Sequence, residues 1–240
     1  MIQDALEYPR TGDDWTKTVL IGGILSLLGV LVIPTILVLG YLVRVLERTM
    51  RGDDSPPKFD EWGDMFVDGV KAFAITLAYG FVPAAVGAAV VVGGVLSFTV
   101  VGGSGAGGAA ASGAGVAVLV VGTLLALALG LLAAYVIPAA VAAFAETDRL
   151  GAAFSAADLR PVLTSGTYAT AWVLAFAVVV GAGLVAGALN VIPVIGFVIG
   201  GVVGFYAAVS AYYIVGHAWG EHRELEPAAA DDTPAEGPAV

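Results

Sequence analysis

Three stretches of this chain contain no Asp, Glu, Lys or Arg: Thr18 to Val43, Ala72 to Ala145 and Pro161 to Gly220, of 26, 74 and 60 residues. Charge-free runs of that length are what a bilayer demands, because a helix needs about 20 apolar residues to cross a hydrocarbon core of roughly 30 Å. The composition agrees, with 59% hydrophobic and 12% charged residues, against about 25% charged in soluble domains. A water-soluble single domain is excluded. The expected fold is all-α, a polytopic transmembrane helical bundle of about five apolar segments with one or two interfacial amphipathic helices.

The 26-residue run would reach about 39 Å as helix and can cross with tilt or a break. Residues 1–17 before it contain Asp4, Glu7, Asp13 and Asp14 and lack the basic region of a secretory signal. They read as an N-terminal interfacial segment. The 74-residue run must turn once, and the Gly/Ser/Ala tract Gly102 to Gly115 is the place, since glycine at that density resists helix. The 60-residue run breaks at Asn190-Val191-Ile192-Pro193, where Asn and Pro form turns and the residue before proline avoids helix. The domain therefore covers residues 18–217, with spans near 18–43, 71–101, 116–144, 167–189 and 193–217. Beyond it, residues 218–240 form an acidic tail with too little apolar surface to fold.

Basic residues orient the spans. If all five segments cross, eight of the ten Lys and Arg share one side, with Arg10 and Lys17 opposite. If Thr18 to Val43 is a re-entrant hairpin turning at Ile33-Pro34, all ten share one side and the N-terminus joins them. Either way, connections 44–71 and 145–166 and the tail are expected in the cytoplasm of a plasma-membrane protein. The net charge of -10 suits a surface hydrated in high salt, a halophile's surface, and argues against nucleic acid, whose phosphates require clustered cations.

The connection Arg51 to Lys71 is the most distinctive stretch. After two prolines, Trp62, Met65, Phe66, Gly69, Val70 and Phe73 recur at spacings of three and four, with acidic residues between. The stripe predicts an amphipathic helix in the interface, Trp62 and Phe66 anchoring it at headgroup level. Asp60, Asp64 and Asp68, each four apart, would line one face; a divalent ion or basic partner could neutralise them, but a solvated acidic face is the simpler reading. Together with Trp62, Arg44, Arg48 and Arg51 they make a face for a partner protein or lipid headgroups. Thr147 to Pro161 repeats the pattern in shorter form.

No ionisable residue falls in the middle of a span, where proton relays, ion-coupled carriers and intramembrane hydrolases carry theirs. No enzyme, cofactor or metal is expected. With no cysteine, disulfide and thiolate chemistry are excluded, and His217 and His222 are too few for a metal site without carboxylates. Gly196, Gly200 and Gly204, spaced by four, give a small-residue face for helix packing, within the chain or in a homo-oligomer.

The run GYLVRVLERTMRGDDSPPKFDEWGDMFVDGVKAF at Gly40 to Phe73, with AFAETDRLGAAFSAADL at Ala143 to Leu159 and AYYIVGHAW at Ala211 to Trp219, resembles the archaeal multi-pass membrane family catalogued as domain of unknown function 4013. The likeness extends over nearly the whole chain except the acidic tail. It implies an archaeal plasma-membrane protein and brings no activity, ligand or catalytic residue. The function expected is a non-enzymatic structural or accessory membrane subunit, the bilayer its first partner, with a small channel or permease for a neutral or lipid-like solute as the alternative.

Overall fold

The computed structural model describes residues 2–12, 14–100 and 106–231, which are mostly helical and contain no strand. The helices are α1 (Ile2–Glu7), α2 (Trp15–Leu27), α3 (Val32–Met50), α4 (Trp62–Val100), α5 (Ala106–Thr147), α6 (Ala156–Leu163), α7 (Gly166–Leu189) and α8 (Pro193–Asp231), with single 3-10 turns at Tyr8–Arg10 and Ala152–Phe154. Four stretches are long and apolar enough to cross a membrane: Trp62–Gly94, Gly115–Thr147, Gly166–Leu189 and Gly196–Arg223. The chain divides into two units, residues 1–73 with 138–240, and residues 74–137.

The second unit is a pair of helical segments, residues 74–100 of α4 and 106–137 of α5. They meet through glycines, Gly94 against Leu119 and Gly122 against Val90, where a Cβ would collide with the opposing side chain. Their other large side chains, such as Phe81, Leu124 and Leu127, are exposed, as lipid-facing residues are. Residues 101–105, in which the expected turn would fall, lie outside the described residues. Ala106–Gly115 is helix, which corrects the expectation that the whole glycine tract resists it. The glycine penalty of about 1 kcal/mol per residue is smaller than the several kcal/mol for each backbone group left unpaired in lipid.

In the first unit α8 is central, packed by α2, α3 and α7. The run Thr18 to Val43 is not one span. It is a hairpin of α2 and α3 that breaks at residues 28–31, the arms reaching about 20 and 28 Å. The turn comes ahead of the expected Ile33-Pro34 because proline is tolerated in a helix's first turn, where its missing N–H would have no partner; Pro34 is the third residue of α3. Both ends of the hairpin lie together. The Thr11 hydroxyl donates to the Asp54 carbonyl at 3.3 Å, Tyr8 to the Ser55 carbonyl at 3.5 Å, and Lys58 pairs with Asp14 at 3.2 Å. The N-terminal segment is thus part of the folded unit, with Ala5 and Tyr8 buried, rather than a separate interfacial strip.

The hairpin tip is apolar, with Val30 93% exposed, so its backbone must be satisfied from within. Thr35 does this, its hydroxyl lying 2.9 Å from the Gly29 carbonyl and 3.1 Å from that of Leu31. Thr35→Val, which keeps the shape and removes the donor, is expected to lower stability by about 1–3 kcal/mol. Thermal unfolding in detergent measures it, and an unshifted midpoint would show that the tip is hydrated.

The α7–α8 turn falls at residues 190–192, where Asn190 and Pro193 place it. At the other end the expected tail is partly helix. α8 continues to Asp231, and Trp219 is 1% exposed, its indole N–H donating to Glu146 on α5 and its ring lying beneath Arg223. Residues 232–240 of that tail lie outside the described residues.

Candidate functional site

Residues 51–61 form a loop held from three sides. It begins at a glycine for a backbone reason: Gly52 has φ +73°, its N–H donates to Thr49 O and that of Asp53 to Arg48 O, at 3.1 and 3.0 Å. This is the left-handed helix cap that glycine adopts without strain. Asp53 then accepts from the Ser55 N–H at 2.9 Å, Tyr41 donates to the Pro57 carbonyl at 3.0 Å, and the Tyr41 and Phe59 rings stack at 4.5 Å.

Arg44 locks the loop's far end. Its nearly buried guanidinium donates to the Asp60 carbonyl and carboxylate at 3.0 and 3.2 Å and to those of Glu61 at 3.3 and 3.4 Å. Arg48 donates to the Ser55 carbonyl at 3.2 Å and lies 3.8 Å from Asp53. These arginines hold the loop. Arg51, by contrast, is exposed. The three aspartates do not share a helix face: Asp60 precedes α4, which begins at Trp62 after Glu61 turns the chain with φ 48°. Asp64 is exposed, whereas Asp68 lies 3.6 Å from Lys71, which pairs more closely with Asp148 at 2.7 Å. Among the described residues no group of three or more His, Asp or Glu is placed to hold a metal ion. Trp62 stacks on Phe59 at 5.6 Å and remains 45% exposed, continuing a row of exposed apolar residues through Phe66, Val67 and Val70. The amphipathic stripe is the start of α4, not a separate helix.

Three contacts unforeseen in the sequence complete this end. Trp219 and Arg223 both donate to Glu146, at 3.1 and 2.9 Å. His217 lies 3.5 Å from Asp54. Between α3, α5 and α8 is a cavity of about 360 Å³ lined by Glu47, Arg51, Glu146, Trp219 and Arg223 among others. Burial, reinforced by Asp68, holds the Glu47 carboxyl above the ordinary range, with Arg51 and Arg44 opposing. The folded protein therefore binds this proton more tightly than the unfolded chain, and Glu47 lowers stability as pH rises through its raised value. Glu47→Gln should raise the melting temperature at neutral pH and leave it unchanged near pH 4. Asp53, whose carboxyl the Ser55 N–H lowers, contributes with the opposite sign, so Asp53→Asn should destabilise at neutral pH only.

The packing glycines differ from those the spacing picks out. A Cβ on Gly196 would strike the Leu189 carbonyl across the turn, Gly200 makes ordinary contact with Ala186 at 3.6 Å, and Gly204 faces open space. The close approaches are at Gly22, Gly23 and Gly201 between α2 and α8, at Gly216 and Gly220 between α8 and α3, and at Gly40 and Gly69 between α3 and α4. Charge-free spacing carries no signal for them, because it does not say which helices meet.

A second concavity, of about 540 Å³, lies between α2, α7 and α8. Its walls include Val19, Val178, Gly181 and Val202, and Arg10, Trp15 and Tyr206 stand among its lining. The Arg10 guanidinium lies 5.9 Å from the Trp15 ring and 5.6 Å from that of Tyr206, whose hydroxyl donates to the Leu6 carbonyl.

Residues 24–191, 168 of 240, match the family described as protein of unknown function (DUF4013). The chain belongs to this family. The DUF4013 match runs from within α2 to the α7–α8 turn, so it includes the 51–61 loop and leaves Arg10, Trp15 and α8 outside. No curated protein and no solved structure matches the chain. The DUF4013 description names no activity, and the charged face and the groove are read from their own chemistry.

Proposed function

We infer that this chain is a non-enzymatic accessory subunit of a membrane complex, docking a protein partner through the start of α4. The observation that carries the reading is the row Trp62, Phe66, Val67 and Val70, exposed beside Asp64 on a frame that Arg44 and Tyr41 hold rigid. Aromatic anchors on a rigid support are what interface hot spots use. The charged groups behind the row are paired with one another, which supports a structural rather than a catalytic role. The setting is the plasma membrane of a halophilic archaeon, supported by the acidic charge balance. With the hairpin's two ends together, all ten Lys and Arg fall on segments that the positive-inside tendency assigns to the cytoplasm, the N-terminus included.

Native mass spectrometry of protein gently extracted from its own membrane tests the reading. A stoichiometric protein partner is expected, and it should be lost on Trp62→Ala with Asp64→Arg while the melting temperature holds. A homo-oligomer with no other chain would instead support the second reading, a path for a neutral or lipid-like solute, favoured by the open space beside Gly181, Gly187 and Gly204. Liposome flux blocked by Gly204→Leu would then establish it. Orientation is read separately: with no native cysteine, one introduced at Ser55 should resist an impermeant thiol reagent applied outside, and one at Ser104 should react.

A further inference from the structure

We propose that the groove between α2, α7 and α8 is a binding site for one anionic phospholipid, its phosphate on Arg10 and an acyl chain along Val19, Val178, Gly181 and Val202. The groove, of about 540 Å³, is within the size range of pockets that enclose small ligands. Its walls are apolar and its one cation stands beside two aromatic rings. That pairing is the chemistry of an anionic amphiphile: a guanidinium offers two parallel N–H bonds to phosphate, and Trp and Tyr sit at headgroup level.

Charge placement narrows the occupant further. In a chain of net charge -10, no carboxylate among the described residues lies within ion-pair distance of Arg10, although Arg44, Arg48, Lys58, Lys71 and Arg223 each have one. Further along the same helices Leu20 and Ile24 on α2 and Leu184 and Val185 on α7 are exposed apolar residues, with no charged residue on α2 after Lys17 or anywhere on α7. A ligand anionic at one end and a hydrocarbon chain for the rest fits this arrangement. A zwitterionic lipid would bring its own cation to Arg10, and free phosphate would leave the apolar wall uncovered. The inference does not depend on the accessory-subunit reading, which concerns α4.

Two substitutions separate the ends of the site. Arg10→Gln removes the cation. Gly181→Leu fills the groove at a position where a Cβ meets nothing within 4 Å, so the fold has room for it. The experiment delipidates the full chain in detergent and titrates phosphatidylglycerol, phosphatidylcholine or inorganic phosphate, reading bound stoichiometry by native mass spectrometry and folding by thermal melting. The wild type should hold one phosphatidylglycerol at least about tenfold more tightly than phosphatidylcholine. Arg10→Gln should remove that preference, and Gly181→Leu should weaken both lipids. Equal binding of the two lipids by the wild type, an unchanged preference in Arg10→Gln, or displacement of the lipid by inorganic phosphate alone would overturn the proposal. A protein partner lost or kept through α4 changes none of these readings.

Discussion

Gly40→Ala and Gly69→Ala should each cost more than about 3 kcal/mol, the upper range for overpacking, and lower the melting temperature markedly. The reason is reciprocal. A Cβ on Gly40 would land on the carbonyl oxygen of Met65, and one on Gly69 on that of Ile36, so each helix backbone rests on the other's glycine. A flexible side chain could move aside, but a carbonyl already bonded within its helix cannot. Gly204→Ala is the control: it meets nothing within 4 Å and should be neutral or slightly stabilising, since alanine has the better helix propensity. A Gly40→Ala protein that melts with the wild type would mean that α3 and α4 do not cross here. The same crossing sets where Trp62 and Phe66 emerge, so the partner binding we propose should fail along with stability.

The second large effect is at Trp219. Removing a fully buried indole costs about 3–5 kcal/mol, and here it also takes a donor from Glu146 and the ring beneath Arg223, 5.5 Å from its guanidinium. Trp219→Ala should therefore unfold the C-terminal part of α8 at a markedly lower temperature. Trp219→Phe keeps most of the volume and loses the bond, so it should cost only about 1 kcal/mol. If residues from 218 onward behaved as the acidic composition suggests, both variants would melt like the wild type. The graded pair thus tests whether this stretch belongs to the folded unit.

That stretch shows where composition misleads. Residues 218–231 are polar on average, and averages carry no information about Trp219 and Glu146, which are 73 positions apart and meet only because the fold brings the C-terminal end of α5 to α8. The aspartates of the first connection mislead in the opposite way. Spacing of four puts Asp60, Asp64 and Asp68 on one face only if the helix has already begun, and the Glu61 turn delays it by two residues. Arg44 and Arg48 were legible as part of a charged face, but their role in holding the loop depends on Asp60 and Ser55, 16 and seven residues away.

The all-α architecture, the long apolar helices and the turn before Pro193 were determined by sequence alone, since lipid leaves a charge-free run no backbone solution but helix and proline punctuates it locally. Tertiary structure decided whether Thr18 to Val43 crosses or returns. A 26-residue run permits both, and the choice rests on Thr35 satisfying the tip and on Tyr8, Thr11 and Lys58 tying the two ends together. Which of 33 glycines bear a neighbouring helix, and that Arg10 stands beside a groove made by three helices, were decided there as well. Periodicity describes one helix at a time, whereas a close approach or a binding groove is a property of the helices that meet.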